Sequence, residues 1–567
     1  MRHLRMAAIA LGLPAALGLP GAPTAALASG HEAVPLFQSA SRCLVCHNGL
    51  KSVAGHDASI GAQWRSSVMA NSARDPYWRA GVSREIVDHP EARDHIQQEC
   101  AACHLPIAHA QATLANRRSL PFDLLAPPAG HADVQLAMEG VNCSVCHQIQ
   151  DSGLGEPATF NGEFRIAPPD PHGVRPEYGP YVIDAGRQLI MRSSSGGFEP
   201  RHGAHVADSK LCASCHTLFT APLGESTPVG AEFPEQMPWF EWLHSRYREE
   251  RSCQSCHMPA APDDAPVSAV LGTPRPAPAG HSFSGANVFM QRLFAAHREA
   301  LGISVPGAEL EAAAEGTERF LKEQAASVSI ERTSLQQGRL VAQLRVTNLG
   351  GHKLPTAYPS RRVWLHVCLT DAAGVKVFES GALNPDGSIT GNDNDADPTR
   401  FEPHYAQIRS ADQVQIYEDI LGTRQGKVTT ALLAASHYLK DNRLLPQGFD
   451  KASADRTIAV VGDAAQDPGF DGQGHRIRYS VELGAAPGPY RLEAEIWYQP
   501  IGFRWAKNLE AYDTAQVHEF RGLVAAAKGV GSVRLSMAWA VAQAPALIPA
   551  QPTAGARRQR PVARTAP

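Results

Sequence analysis

The amino-acid sequence predicts a multidomain protein in which a mostly irregular and α-helical half precedes an all-β half. Its 567 residues exceed what one ordinary hydrophobic core accommodates. Ten of the eleven cysteines lie between Cys43 and Cys256, in a half that is rich in Pro, Gly and His and has few long apolar runs. The second half contains only Cys368 and alternates apolar with polar residues, as half-buried strands do.

The N-terminus has the pattern of an export signal. Arg2 and Arg5 precede an apolar stretch, 6–19, that is short for a membrane span and broken by Pro and Gly, and Ala26-Leu27-Ala28 matches a cleavage site. We therefore expect residues 1–28 to be a signal peptide cleaved near Ala28, and the protein to be periplasmic. A retained N-terminal anchor is the alternative. No later segment is long and apolar enough to span, so we expect no transmembrane segment in the mature chain.

The charge balance gives little information about partners. The formal net charge is −4, and loss of Arg2 and Arg5 makes it −6. No basic patch with interleaved aromatic residues is present, so we expect no nucleic-acid partner. Residues 543–567 carry four arginines among Pro, Ala and Gln and are predicted to be a disordered tail.

Five pentapeptides in the first half share the pattern Cys-x-x-Cys-His. They are Cys43-Leu-Val-Cys46-His47, Cys100-Ala-Ala-Cys103-His104, Cys143-Ser-Val-Cys146-His147, Cys212-Ala-Ser-Cys215-His216 and Cys253-Gln-Ser-Cys256-His257. The pattern is the attachment signature of c-type haem. Two thiols three positions apart reach the two vinyl groups of one porphyrin, and the adjacent His is directed at the iron.

Redox dithiols, disulfides and zinc sites are the alternatives for a paired cysteine motif. They do not explain why a His follows every second Cys, and zinc would require the five pairs to combine into four-ligand sets. We therefore predict five covalently bound haems c, held by the ten motif cysteines and ligated by the five motif histidines. Residues 29–300 are the predicted pentahaem domain. With about 43 residues per haem between Cys43 and His257, the porphyrins must pack against each other, which favours electron hopping.

Each iron also has a position opposite its motif His, which a His, a Met or no protein group can occupy. Twelve further histidines precede residue 300 when His3 of the predicted signal peptide is excluded. By position we favour His131, twelve residues before Cys143, His205, seven residues before Cys212, and His281, which follows the last motif. His109 could serve a neighbouring haem. For any one of them, an exposed polar His is the alternative interpretation.

The second half predicts one helix followed by strands. Apolar residues recur at helical spacing over 309–325, within a predicted linker helix at 301–326. Alternation then predicts strands over 340–346, 363–369 and 492–498. Together they indicate an antiparallel immunoglobulin-like sandwich over 327–542.

Two loops of this half carry residues of chemical interest. Residues 350–362 contain two Gly, two Pro and His352, and we hypothesise that His352 ligates a haem while Arg361 or Arg362 pairs with propionates. A packed turn with an exposed His is the alternative. Residues 391–397 concentrate oxygen ligands, so they are either a calcium site without the full EF-hand pattern or a solvated acidic turn.

The motifs, together with Glu139-Gly-Val-Asn-Cys143, resemble the cytochrome c-552/c-554 class of bacterial multihaem cytochromes. Gly280-His281-Ser-Phe, Gly351-His352-Lys-Leu-Pro-Thr, Gln415-Ile-Tyr-Glu418 and the stretch 498–505 resemble large members with an appended β-rich domain. The resemblance implies periplasmic electron transfer with largely bis-His haems, and it assigns no substrate. Cytochrome c nitrite reductase also has five haems, but its Lys-ligated motif is absent and its C-terminal helices are replaced by strands.

Two functions follow from these patterns. The first is an electron carrier that moves electrons between other periplasmic or membrane-associated redox proteins and has no catalytic residues of its own. The alternative is a multihaem reductase or oxidase of a small nitrogen or sulfur compound, with one five-coordinate haem.

Overall fold

A computed structural model describes residues 35–118, 132–224, 231–529 and 531–543. The predicted signal peptide, His131 and all of the predicted tail except its first residue lie outside these ranges. None of the described helices is long and apolar enough to cross a membrane.

The first half consists mainly of short helices joined by turns. Helix α3 shows why they begin where they do: Pro76 occupies its first turn, and the Asp75 carboxylate accepts hydrogen bonds from the backbone N–H groups of Tyr77 and Trp78. The helices are α1 Ala40–His47, α2 Ile60–Arg65, α3 Pro76–Asp88, α4 Arg93–His104, α5 Pro106–Leu114, α6 Ala132–Ala137, α7 Cys143–Cys146, α8 Ala185–Ser194, α9 Lys210–Ala213, α10 Pro238–Leu243, α11 Tyr247–Glu250, α12 Cys253–His257 and α13 Val288–Ala296. Two small strand pairs, β1 Arg175–Gly179 with β2 Phe198–His202 and β3 Leu218–Thr220 with β4 Phe233–Gln236, complete this half.

Helix α14 spans Gly307–Gln324, so the helix predicted from the apolar spacing over 309–325 is confirmed. The strands that follow are β5 Ala326–Gln336, β6 Arg339–Asn348, β7 Arg362–Thr370, β8 Lys376–Ser380, β9 Gln407–Ile408, β10 Ile416–Tyr417, β11 Asp419–Thr423, β12 Val428–Thr429, β13 Ala435–Asp441, β14 Phe470–Asp471, β15 Gly474–Glu482, β16 Tyr490–Gln499 and β17 Val533–Ala542.

These strands form two larger sheets and one smaller sheet. One sheet has the order β10-β7-β16-β17 with β8 on β7, and the other has the order β14-β15-β6-β5 with β9 on β15. The third sheet, β12-β11-β13, has three strands. All the pairings are antiparallel except β15 with β9, so the predicted antiparallel character is confirmed, whereas an immunoglobulin-like strand order is not established.

A single apolar core lies between the two larger sheets. Alternate residues of β6 and β15 face those of β7 and β16, and the side chains of Leu344, Ile477, Leu365 and Ile496 are completely buried. Burying such a side chain stabilises the fold by about 1.5–3 kcal/mol. The strand period of two therefore arises because one face of each sheet packs against the other sheet.

Three short helices interrupt the region predicted to be all-β. They are α15 Asp393–Ala396, α16 Phe503–Leu509 and α17 Ala515–Ala526. Trp505 and Phe520 of the last two helices enter a buried cluster with Tyr77 of α3, a residue of the first half. Apolar packing against α3 therefore explains why this segment is helical although strands flank it.

The two halves of the chain are joined by polar contacts as well. The Glu85 carboxylate accepts a 2.8 Å hydrogen bond from the Leu432 N–H, and Arg79 forms a 3.2 Å ion pair with Glu519. The described residues from Leu36 onward belong to one compact unit. The β-rich half can therefore contribute side chains to a site in the cysteine-rich half.

Candidate cofactor site

The five Cys-x-x-Cys-His motifs all adopt a helical turn. The first motif lies within α1, the second forms the end of α4, the third begins with α7 and the fifth forms α12. In the fourth motif the His216 N–H bonds the Cys212 carbonyl at 2.9 Å, which is a helical bond. A helical turn places residues three and four apart on one face, so each motif presents two thiols and an imidazole in the same direction.

All fifteen of these residues line one continuous cavity of about 1280 Å³. This volume exceeds the roughly 300–1,000 Å³ of an ordinary small-molecule pocket. The eleven cysteines are all described, and none forms a disulfide. The ten thiols and five imidazoles are the donor set that covalent haem requires, so the residues present fit five haems c.

Neighbouring motifs contact each other through their cysteines. Hydrogen bonding to the Cys43 thiol raises the pKa of the Cys143 thiol well above its ordinary value. Hydrogen bonding to Cys253 likewise raises the pKa of Cys212, and hydrogen bonding to Cys103 raises the pKa of Cys215. The contacts pair the first motif with the third, the fourth with the fifth and the second with the fourth. No motif is isolated within the cavity.

Backbone carbonyl groups orient four of the five motif histidines. The Nδ1 atoms of His47, His147 and His257 each lie 2.6 Å from a carbonyl oxygen, those of Val267, Tyr178 and Ser284 respectively. The Nδ1 atom of His104 lies 3.4 Å from the Ser72 carbonyl. A carbonyl only accepts hydrogen bonds, so each ring carries its hydrogen on Nδ1 and leaves the Nε2 lone pair available to a metal.

Tyr178 and Ser284 each make a second hydrogen bond to the same motif histidine. The Tyr178 N–H donates to the His147 carbonyl at 2.6 Å, and the Ser284 N–H donates to the His257 carbonyl at 3.0 Å. Each partner thus fixes the ring and the backbone of the same histidine. Burial lowers the pKa values of His147 and His257 and lowers that of His104 to about 4, so these rings are neutral at pH 7, as metal ligation requires.

Two further histidines predicted as ligands lie opposite a motif histidine. The rings of His281 and His147 have centres 6.3 Å apart and planes inclined by 18°. The rings of His352 and His257 have centres 6.1 Å apart and planes inclined by 13°. A ligating imidazole nitrogen lies about 2.0–2.1 Å from its metal, so two rings that share one ion have centres about 6 Å apart. Both pairs have this separation.

His205 does not lie opposite a motif histidine. His205 directs Nε2 at the Ile149 carbonyl, 2.8 Å away, packs against the Tyr178 ring and is not among the residues that line the cavity. His131 lies outside the described residues. His109 lines the cavity, and its buried Nδ1 atom has no hydrogen-bond partner. His109 is therefore better placed than His205 to approach a haem.

A buried network of charges holds the loop that carries His352. The Lys353 ammonium is completely buried and lies 2.6 Å from the Asp441 carboxylate. Arg443 pairs with the same Asp441 at 2.8 Å and with Glu241 of α10 at 2.9 Å. Glu241 also accepts a 3.1 Å hydrogen bond from the Lys353 N–H. The network thus ties the loop to α10 in one half and to β13 in the other.

No pattern in the sequence indicates this network, because its members are separated by up to about two hundred positions along the chain. Of the two loop arginines that the hypothesis offers as propionate partners, the structure excludes Arg362. Arg362 is buried and donates to Asp395 at 2.7 Å and to Gln499 at 2.8 Å, so it is not available to a propionate. Arg361 lines the cavity, where its guanidinium group is available to pair with a propionate.

The carboxylates of the acidic loop 391–397 each bond another protein group. Asp395 pairs with Arg362, and Asp393 pairs with Arg400. Asp397 accepts hydrogen bonds from the N–H and hydroxyl groups of Thr399. Because these carboxylates have separate partners and do not converge, the structure favours the acidic turn over the calcium site.

A second set of metal-type side chains, His404, Asp467 and His475, is buried inside the β-rich half. Asp467 lies 3.0 Å from Nε2 of His404 and 3.2 Å from Nε2 of His475. Gln415 and Asn442 direct amide N–H groups at Nδ1 of His404, so that atom is an acceptor and Nε2 carries the hydrogen donated to Asp467. The group is therefore a hydrogen-bonded network, since His404 has no free lone pair directed at a shared ion.

No family model and no curated protein matches the chain. Among solved structures, the chain is similar to a penta-heme cytochrome c552 from Thermochromatium tepidum. The sequence identity is 16%, the match covers 90% of this chain and 100% of that chain, and the TM-score is 0.49. At this level of similarity the neighbour assigns no function to the chain.

Proposed function

We propose that this protein is a pentahaem c-type cytochrome that transfers electrons between redox partners in the periplasm. The observation that carries the proposal is that five Cys-x-x-Cys-His motifs, far apart along the chain, line one cavity. Their ten thiols would hold five porphyrins, and the motif histidines would each supply one axial nitrogen. When bound, haem iron supplies one-electron chemistry.

At two of the five motifs, a second histidine opposite the motif histidine favours an electron carrier over an enzyme. His281 opposite His147 and His352 opposite His257 would complete bis-His ligation, which leaves no position for a substrate. The Nδ1 atom of His352 bonds the Lys353 carbonyl at 2.9 Å, so its Nε2 atom is free to ligate. The β-rich half would then act as a ligand donor to the fifth haem.

The motif contacts favour a continuous electron path. Motif cysteines contact each other between motifs one and three, four and five, and two and four, and Cys146 of the third motif acts electrostatically on Cys212 and Cys215 of the fourth. The porphyrins attached to all five motifs would therefore lie close together. Electrons could then pass along the series without a mobile carrier. Periplasmic or membrane-associated redox proteins would supply and remove them, in keeping with the export-type N-terminus.

The test is a count of haems and an analysis of their ligation. The full chain would be produced by a host with c-type haem maturation, and its mass, iron content and reduced pyridine spectrum would be measured. We expect five haems per chain and, in the oxidised protein, electron paramagnetic resonance signals of low-spin iron. A colourless product, or a mass equal to the bare polypeptide, would refute the proposal.

One observation favours a reductase as the second candidate. His104 of the second motif stacks on Trp78 with ring centres 4.5 Å apart, and in the described part of the chain no second imidazole faces it. Glu235 lines the same cavity, its Oε2 atom is buried without a hydrogen-bond partner, and burial raises its pKa to about 7. A buried acid that shares a cavity with an open iron position suits the reduction of a small nitrogen or sulfur compound. High-spin iron that responds to added nitrite or sulfite would support this candidate.

A further inference from the structure

The surface around the first motif has an unusual composition. Three segments meet there: 40–47, which contains the motif, 180–194, which contains α8, and the loop 266–275. The Ala269 N–H bonds the Cys46 carbonyl at 2.7 Å, and Arg187 donates to the Leu271 carbonyl at 2.9 Å. Arg275 lies over the Tyr181 ring at 4.0 Å. These contacts hold the segments together as one face, which we call the first-motif face.

The first-motif face exposes large apolar side chains. Six of them are more than one-third exposed: Val45, Val182, Leu189, Ile190, Val270 and Leu271. Val45 is 76% exposed although it lies inside the haem-attachment motif. Exposed apolar groups that are contiguous mark interaction sites more often than scattered ones do.

The haem cavity opens to solvent on this face. Ile190, Val270 and Leu271 line the cavity and are 41%, 45% and 60% exposed, so they form part of its rim, whereas Val45, Val182 and Leu189 do not line it. Arg42, Arg187 and Arg275 line the cavity as well. A porphyrin attached at Cys43 and Cys46 would therefore have the first-motif face around its outer edge.

The charge on the first-motif face is positive although the whole chain is negative. Its three segments contain four arginines, Arg42, Arg187, Arg192 and Arg275, and one carboxylate, Asp184, which gives +3. The neighbouring Glu199, which pairs with Arg192, is balanced by its second partner Arg201. The formal charge of the chain is −4. A local excess of one sign steers a partner of the opposite sign.

We infer that the first-motif face is the docking surface for an acidic redox protein whose own cofactor edge lies within an apolar patch. The inference rests on the proposed function and names the haem through which electrons enter or leave. The arginines would steer the partner, and the apolar rim would exclude water between the two cofactor edges. Among the described thiol contacts the first motif contacts only the third, so the first haem would lie at one end of the haem arrangement.

The test measures electron transfer from reduced flavodoxin, an acidic one-electron protein donor, to the fully haem-loaded chain by stopped-flow absorption. We expect the second-order rate to fall as ionic strength rises. The double variant Arg192→Glu/Arg275→Glu should lower the rate at low salt by tenfold or more. The variant Leu189→Ser/Leu271→Ser should lower it while keeping the salt dependence.

Matched controls separate docking from damage. The variant Arg332→Glu/Arg478→Glu makes the same charge change at exposed positions on β5 and β15 and should leave the rate within twofold of the wild type. Every variant should retain five covalent haems, because none of them changes a motif cysteine, and should be reduced completely by dithionite. Equal effects of both arginine pairs, or a rate that does not depend on ionic strength, would overturn the inference.

Self-association and haem loading are measured on the same samples. If sedimentation shows that the wild type self-associates and the Arg192→Glu/Arg275→Glu variant does not, the occupant is a second copy of the chain, and the inference is wrong. If the wild type lacks haem or shows no reducible bands, it is the proposed function that fails. A normal pentahaem spectrum with an insensitive rate would reject the docking surface alone.

Discussion

The imidazole rings of His257 and His352 are separated by 95 positions in the chain, yet their centres lie 6.1 Å apart in nearly parallel planes. One ring belongs to the fifth attachment motif and the other to the β-rich half. Each directs Nδ1 at a backbone carbonyl, so both Nε2 atoms are free to ligate. The pair links the two halves of the protein through one proposed metal ion.

Replacement of His352 by Ala should convert one haem in five from low-spin to high-spin. The variant removes an axial nitrogen but leaves the thioether bonds, so the haem count should stay at five. The measurement is electron paramagnetic resonance of the oxidised protein, with the exposed His437→Ala as the matched control. An unchanged low-spin spectrum would show that His352 is not a ligand. His281→Ala should have the same effect on a different haem.

Lys353→Met should loosen the loop that carries His352. The variant removes one of the two cations that compensate the buried Asp441 carboxylate and leaves Arg443 as the remaining partner, which costs up to about 3–5 kcal/mol of folding free energy. We expect a lower thermal midpoint together with a partly high-spin fifth haem, because the ring would no longer be held opposite His257. Lys376→Met, which removes an exposed ammonium on the same half, is the control. Loss of stability with intact low-spin signals would mean that Lys353 stabilises the fold without positioning His352.

The sequence predicts the chemistry of the site better than its geometry. The five motifs are local patterns, so their spacing alone predicts the attachment residues. The period of two likewise predicts the strands that contain Leu344 and Leu365, because each strand buries one face. A ligand opposite a motif histidine depends instead on how distant segments pack, and the sequence can only rank candidates.

His205 and His352 illustrate this limit. Sequence position favours His205, seven residues before Cys212, but its Nε2 atom faces the Ile149 carbonyl. His352 lies 95 residues after the fifth motif and is nevertheless next to it, because Lys353 and Glu241 hold its loop against α10. The helices within 503–526 escape prediction for a similar reason, since packing on α3 determines them.

Each motif should account for one haem. Cys253→Ser/Cys256→Ser should reduce the protein mass by one haem and remove one-fifth of the haem absorbance, because no thioether can form at the fifth motif. Cys368→Ser should retain five haems, since Cys368 lies on the outer face of β7, away from the cavity. Intact-mass spectrometry under denaturing conditions detects covalently attached haem only. A fifth covalent haem in the double variant would contradict the assignment of this motif.

The His404, Asp467 and His475 network should make the β-rich half sensitive to acid. Burial lowers the pKa of His475 to about 4, whereas an unfolded His titrates near 6.5. Between these values the unfolded chain binds more protons than the folded one. Neutral His475 therefore contributes about 3 kcal/mol to the free energy of unfolding above about pH 6.5. This contribution is lost as the pH falls through about 4. Thermal unfolding followed by far-ultraviolet circular dichroism should show a midpoint that drops between about pH 6.5 and 4.5, and His475→Gln should flatten this dependence. The exposed His437→Gln serves as the control, and an equally steep pH dependence in His475→Gln would assign the acid sensitivity to other groups.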